Sequence, residues 1–184
     1  ISYEAEAGAL LLNAGGEIPV YVDNNDARGV NRAAVNMMAD LNSVCQANCR
    51  FAASAGEARI VAGTLGHSKV IGRLLPKAQQ DLLKGKHEQY LITQVGRQLL
   101  IAGSDRRGTI FGLYELSRQA GVSPWTRWAD VAVEHHDSLY VRRGDSTDGE
   151  PRVRWRGNFL NDEGPCLMQW VKNTYGTGYG DHRF

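Results

Sequence analysis

The 184-residue chain carries 42% hydrophobic and 22% charged residues, with 21 Lys+Arg against 20 Asp+Glu. That length holds one well-filled domain plus a fragment of another. No window approaches the ~18 uninterrupted apolar residues of a membrane helix, and so balanced a charge supplies no single-sign field for nucleic acid or an anionic membrane. The chain begins at Ile1 with no methionine and no basic-plus-apolar leader, which leaves a removed signal peptide and a cut boundary both open.

In chain order, residues 7–13 and 18–22 predict strands separated by the turn Ala14-Gly15-Gly16. Pro19 suits a strand's first residues or a sheet edge. Asp26 is placed to cap a long helix in which Val30, Ala34, Met37, Leu41 and Val44 form one core-facing stripe. Asn48 is a candidate left-handed stop for that helix. If the helix ends there, Cys45 and Cys49 can meet in a disulfide; if it continues, an (i, i+4) pair stays unbonded. A zinc site would need two further ligands at recognisable spacing, and the neighbouring sequence supplies none.

Residues 58–64 predict a short strand buried between layers. It leads through Leu65-Gly66-His67-Ser68 into helical sequence reaching about Leu83, with Pro76 as punctuation. The turn lacks the lysine-serine ending and second glycine of a phosphate-binding loop. It is therefore a structural turn, and His67 alone carries no function. Residues 89–95 and 98–102 predict a hairpin whose Gly96-Arg97 connection suits a type II′ turn. After Gly103-Ser104, Asp105 caps a helix with the buried stripe Ile110, Leu113, Leu116 and Ala120. Gly108 and Gly112 share one face of it. At roughly 1 kcal/mol each in lost helix propensity, they imply another backbone packed close.

Gly121 stops this helix. Trp125 and Trp128 follow, and in a connector they plug a domain interface more often than they stack on sugar. Residues 144–150 are polar and turn-rich, and Asp145, Asp148 and Glu150 interleave the nearby arginines Arg142, Arg143, Arg152, Arg154 and Arg156, which makes a solvated linker. Residues 153–160 then predict a strand and 165–175 a helix with proline in its first turn. Asn161-Asp162-Glu163 lies between them. The element order predicts an α+β fold, a mixed sheet with helices packed on it. This domain covers residues 1–144, with a linker over 145–154 and a fresh β-α unit over 155–184.

The run Gly103-Ser104-Asp105-Arg106-Arg107-Gly108-Thr109-Ile110-Phe111-Gly112-Leu113-Tyr114 resembles the N-terminal domain of glycoside hydrolase family 115. So do Gly121-Val122-Ser123-Pro124-Trp125, Trp128-Ala129-Asp130-Val131 and Arg156-Gly157-Asn158-Phe159-Leu160-Asn161-Asp162-Glu163. A looser Asp-Arg-Gly-x-x-(aromatic)-Gly pattern also occurs in accessory domains of families 20, 67 and 84, and the combination narrows the choice. Gly164 and Cys166 depart from the alanines of the family's Asp-Glu-Ala-Pro-Ala run. The resemblance implies a xylan α-1,2-glucuronidase that removes (4-O-methyl)glucuronic acid from glucuronoxylan with inversion. It also implies an accessory domain followed by a (β/α)₈ catalytic barrel and further C-terminal domains, with residues 155–184 as the start of an incomplete barrel.

On that basis Asn161, Asp162 and Glu163 stand at the carboxyl end of the first barrel strand as substrate-binding residues; the other reading makes Asp162 or Glu163 a helix cap. The general acid and base of a barrel glycosidase come from several strand ends. No complete catalytic centre, metal or cofactor is therefore expected in this chain. The implied partners are glucuronoxylan or its oligosaccharides and the remaining barrel and C-terminal domains, with a homodimer left open; nucleic acid and membrane are not among them. The implied location is secreted or periplasmic. A reading from another class makes residues 1–150 a stand-alone, non-catalytic carbohydrate- or protein-interaction module. An aromatic patch around Trp125 and Trp128 would support it.

Overall fold

Every residue of Ile60–Thr64 is buried, and a strand without a solvent face needs a packed layer on each side. The computed structural model describes residues 1–126, 129–157 and 166–176. In chain order its elements are β1 (Leu10–Leu11), β2 (Glu17–Val22), α1 (Arg28–Cys45), β3 (Asn48–Phe51), β4 (Ile60–Thr64), α2 (Lys69–Leu74) and α3 (Lys77–Leu83). After these come β5 (Tyr90–Val95), β6 (Gln98–Gly103), α4 (Arg106–Gln119), β7 (Tyr140–Val141), β8 (Asp145–Ser146) and α5 (Cys166–Tyr175). Six strands form one sheet in the order β3-β2-β4-β6-β5-β8. β3, β2, β4 and β6 run parallel, and β5 runs against both β6 and β8.

The period-two alternation of the strands sorts their side chains into two cores. On one face Ile18, Val20, Ile60, Ala62, Leu99 and Ile101 pack with Ala34, Met37 and Leu41 of α1 and Leu113 and Leu116 of α4. On the other, Val61, Leu91, Leu100 and Ala102 meet Ile71, Leu75 and Leu83 from the α2–α3 region. The fold is thus a mixed sheet with helices on it, a three-layer α+β arrangement.

Four local expectations need correction. Residues 7–13 do not form a long strand beside 18–22: only Leu10–Leu11 is extended, and it pairs with β7 in a separate two-stranded sheet. Pro19 is interior, since β2 lies between β3 and β4. It is tolerated because β4 pairing begins only at Val20↔Ile60. Pro19's carbonyl accepts from Arg59 N (2.7 Å), and the amide it lacks faces the same side, where no strand neighbour has yet started. Asp26 does not cap α1, whose N-cap is Ala27 with no side-chain hydrogen bond. The left-handed residue ending α1 is Gln46 (φ +49°), while Asn48 begins an edge strand. Asn42 Oδ1, accepting from Cys49 N (3.0 Å), helps hold that change of direction.

The hairpin and the helix after it form as the sequence predicts. β5 and β6 pair from Tyr90↔Gly103 to Val95↔Gln98, and Gly96 takes φ +60° in their turn, the sign a II′ turn requires. Asp105 caps α4 by accepting from Gly108 N (2.8 Å). A Cβ on Gly108 would lie 2.2 Å from the Gln89 carbonyl oxygen, and one on Gly112 would lie 2.8 Å from Ile101 Cγ2. These two glycines therefore let α4 lie directly on the hairpin.

A first compact unit spans Ile1–Pro151 and a second Arg152–Phe184. Residues 145–151, expected as a linker, contribute β8 to the first unit. They are further held by Gln119 Nε2 to Ser146 Oγ (3.0 Å), His87 N to Glu150 Oε1 (3.0 Å) and Lys86 to Glu150 (3.8 Å). In the second unit α5 is the regular element among the described residues. Residues 153–157 carry no strand, and among the described residues no ladder is formed with them. Trp155 is 85% exposed, with the Arg154 guanidinium 5.5 Å over its ring. The rest of the strand expected over 153–160, and Pro165, lie outside the described residues.

Two glycine-to-alanine substitutions should move stability in opposite directions. Gly108→Ala drives a methyl into backbone and should cost about 1–3 kcal/mol or more. Gly72, inside α2, has no atom within 4 Å of the point where a Cβ would stand, so Gly72→Ala should add about 0.5–1 kcal/mol. Urea unfolding of both variants checks this; equal effects would mean that α4 does not touch the hairpin as described.

Candidate functional site

Parallel strands bring their carboxyl ends together, and open α/β sheets bind ligands in the crevice where connections diverge to either side. Here β2 has β3 on one side and β4 on the other, so that point falls where β2 and β4 end. Asp23 and Asp26 follow β2, Thr64 closes β4, Ser68 caps α2, and Thr109 sits in the first turn of α4. All five are buried.

A buried carboxylate is costly unless hydrogen bonds replace its water. Asp26 obtains three: from Thr64 N (2.6 Å), Thr64 Oγ1 (2.9 Å) and Ala27 N (2.8 Å). Thr64 commits its one hydroxyl proton to Asp26, so in the 2.8 Å contact between the two threonines the proton comes from Thr109 Oγ1, which shares it with the Asp105 carbonyl oxygen 3.1 Å away. Asp23 accepts from Asn25 N (3.1 Å) and Ser68 Oγ (3.2 Å), while Ser68 Oγ accepts from Ile71 N (3.1 Å). At this crevice the protein's own buried polar groups thereby satisfy one another.

A second cluster borders α4. Glu88 sits at φ +54°, an uncommon conformation for a non-glycine residue, and its side chain is only 1% exposed. Arg107 Nε lies 2.9 Å and His87 Nε2 3.4 Å from its carboxylate, and its backbone N donates to Asp105 Oδ2 (2.8 Å). The distinctive run from Gly103 to Leu116 is thus engaged in holding strand and helix together. Sequence reasoning missed Asp26, Thr64 and Thr109 as one network. The available signal was a polar residue ending an otherwise apolar strand and another inside a helix's buried stripe.

Neither Cys45 nor Cys49 is bonded. Cys45 Sγ donates to Leu41 O (3.2 Å). Burial pushes both thiols up, and Cys49, with Cys45 nearby, is pushed up to about 12. Among the described residues no group of three or more His, Cys, Asp or Glu is arranged to hold a metal ion. Trp125 is 62% exposed. Trp128 and the triplet Asn161, Asp162 and Glu163 lie outside the described residues.

Residues 148–184 match the family described as Glycosyl hydrolase family 115. Among solved structures, BtGH115A, a family GH115 4-O-methyl-α-glucuronidase with specificity for decorated arabinogalactans, is similar with a TM-score of 0.76 and 31% identity. The match covers 86% of this chain and 21% of that one. CpGH84D gives a TM-score of 0.48 at 10% identity over 74% of this chain and 21% of its own. No curated protein matches the chain. The chain spans about a fifth of the length of the family 115 structure it resembles.

Two outcomes test the chemistry of these buried groups. Asp26→Ala orphans the Thr64 amide and hydroxyl and should cost about 1–3 kcal/mol for each unsatisfied group. Asp26→Asn should be nearly as harmful, because an amide cannot accept on both sides, whereas Thr109→Val should cost only about 1 kcal/mol. Chemical unfolding ranks the three; Asp26→Asn matching the parent would dismantle the network. Separately, a thiol raised to about 12 ionises little at pH 8. Iodoacetamide should therefore alkylate Cys49 in the folded chain roughly 10²-fold more slowly than in urea, with the rate still climbing above pH 10. A plateau near pH 9 would contradict the raised thiol.

Proposed function

We propose, from the premise that this chain belongs to glycoside hydrolase family 115, that it forms the amino-terminal part of an α-glucuronidase that removes (4-O-methyl)glucuronic acid from a decorated polysaccharide. The observation that carries this is the likeness to a 4-O-methyl-α-glucuronidase over 86% of the chain, joined to the family match over residues 148–184. The motifs point to glucuronoxylan with an α-1,2 linkage, while the similar structure's stated specificity is for decorated arabinogalactans. A uronic acid is common to both readings, and the polymer backbone distinguishes them. A polymer of this kind is met outside the cytoplasm, which supports a secreted or periplasmic location.

Inverting hydrolysis needs a general acid and a general base about 6.5–9.5 Å apart, taken from different strand ends of a barrel of about 250 residues. With the barrel starting near Trp155, this chain contributes its first β-α unit alone. The general acid and base then lie in the part of the protein beyond this chain, and the isolated chain is inactive. Asn161, Asp162 and Glu163, at the carboxyl end of the first barrel strand, line the pocket by hydrogen-bonding sugar hydroxyls or the attacking water. Two carboxylates beside a uronate repel it, so arginine or lysine from later strands must hold the substrate's carboxylate.

The test is to make Asp162→Ala and Glu163→Ala separately in the longer protein and to measure melting temperature and glucuronic acid release from glucuronoxylan and arabinogalactan. A pocket residue should lose turnover roughly 10²-fold or more with its stability kept. A helix cap should lose about 1 kcal/mol of stability and keep its turnover. Both variants behaving as caps would remove the triplet from the pocket, and glucuronic acid release by the isolated 184-residue chain would falsify the division of the site.

A further inference from the structure

The amino ends of the parallel strands differ from the carboxyl ends, where Asp26, Thr64 and Thr109 bond to one another. β2 begins at Glu17 beside β3, but β4 joins it only at Val20. Glu17, Ile18 and Pro19 therefore have no β4 neighbour, and a cavity of about 340 Å³ opens there. Glu17, Pro19, Glu57, Arg59, Arg97 and Gln98 are among its lining residues. Its size is at the lower end of small-molecule clefts.

The wall is fixed before any ligand arrives. Gln98 Nε2 donates to Ala55 O (2.6 Å) and Ala58 O (2.9 Å), clamping the loop that enters β4. Ser54 Oγ donates to Glu57 Oε1 (3.0 Å), and Arg59 Nη1 donates to Arg97 O (3.2 Å), tying the loop to the hairpin turn. The charges are unevenly compensated. Glu17 is drawn to Arg50 on β3 (3.2 Å), whereas neither Arg59 nor Arg97 pairs with a carboxylate among the described residues.

We propose that this notch binds a sugar carrying a single carboxylate, a uronate. Arg59 and Arg97 supply the donors that a carboxylate prefers. Glu17 and Glu57 accept hydrogen bonds from sugar hydroxyls and repel a doubly charged ligand such as phosphate. The site rests on the proposed function for the polymer that would bear the uronate. Its effect is to hold one acidic side group of a polysaccharide on the first compact unit.

The experiment is a calorimetric or NMR titration of the 184-residue chain with D-glucuronate, D-glucose and inorganic phosphate. Glucuronate should saturate with a Kd of about 1 mM, with glucose and phosphate each at least tenfold weaker. Arg97→Gln lies in the exposed hairpin turn and should keep the fold while weakening glucuronate at least tenfold. Arg59→Gln, checked for folding by circular dichroism, should do the same. No saturable glucuronate binding, equal binding of glucose or phosphate, or an unchanged Arg97→Gln variant overturns the site. The two readings fail separately. A flat titration alongside glucuronic acid release by the longer protein removes the notch alone. Glucuronate binding through Arg97 in a protein that releases no glucuronic acid removes the hydrolase reading alone.

Discussion

The carboxylate of Asp105 accepts two backbone N–H groups from separate parts of the chain: Gly108 in α4 and Glu88 just before β5, both at 2.8 Å. Much of the architecture follows from that double acceptance. A carboxylate at a helix N-terminus satisfies an orphan donor and meets the positive end of the helix dipole. Because the same group also fixes the entry to β5, the helix cannot drift from the hairpin. Ser104 completes the junction, its N donating to Gln89 O (2.9 Å) and its Oγ accepting from Gln89 N (3.1 Å). The Gln89 carbonyl then sits where a side chain on Gly108 would be, which places α4 against the sheet and sets the surface on which α1 packs.

With α4 so placed, Thr109 reaches Thr64 and, through it, Asp26. The network carries a buried carboxylate that pairs with no cation among its hydrogen-bond partners, and its stability depends on each donor remaining in place. The network holds rigid the strand ends that, in sheets of this topology, border a common ligand site. The same physics explains the edge of the unit at residues 145–151. β8 is only two residues long, and its position is shared among the ladder to β5 and polar contacts from α3, α4 and the loop before β5. Each exposed contact is weak by itself, so the segment is ordered only while β5 keeps its own place beside β6.

Legibility in the sequence follows the strength of local signals. Asp105 is readable as a cap because a helical stripe starts directly after it, and Gly108 and Gly112 as close-packing positions because each costs helix propensity without an evident turn to justify it. The hairpin is legible from Gly96 between two apolar runs. β3 is not: Asn48–Phe51 has no apolar alternation, being an edge strand that is largely exposed, and its position depends on pairing with a distant strand. β1, β7 and β8 are two residues each, too short for any periodicity. Asp26 misleads because an aspartate just ahead of a helix is usually a cap. Only the approach of Thr64, distant in sequence, redirects it inward.

The candidate site divides along the same line. The polar triplet at 161–163 stands out by motif and by its place between a predicted strand and a predicted helix, which are local features. The notch formed by Arg59, Arg97 and Glu57 is invisible in the sequence because its members come from a loop, a hairpin turn and the staggered start of two parallel strands. The stagger and Pro19 suit each other: the proline has no N–H to offer toward β4, and the pairing of β4 with β2 starts at Val20. The three-layer unit consequently has a carboxyl end whose buried polar groups bond to one another and an amino end with a cavity beside Pro19.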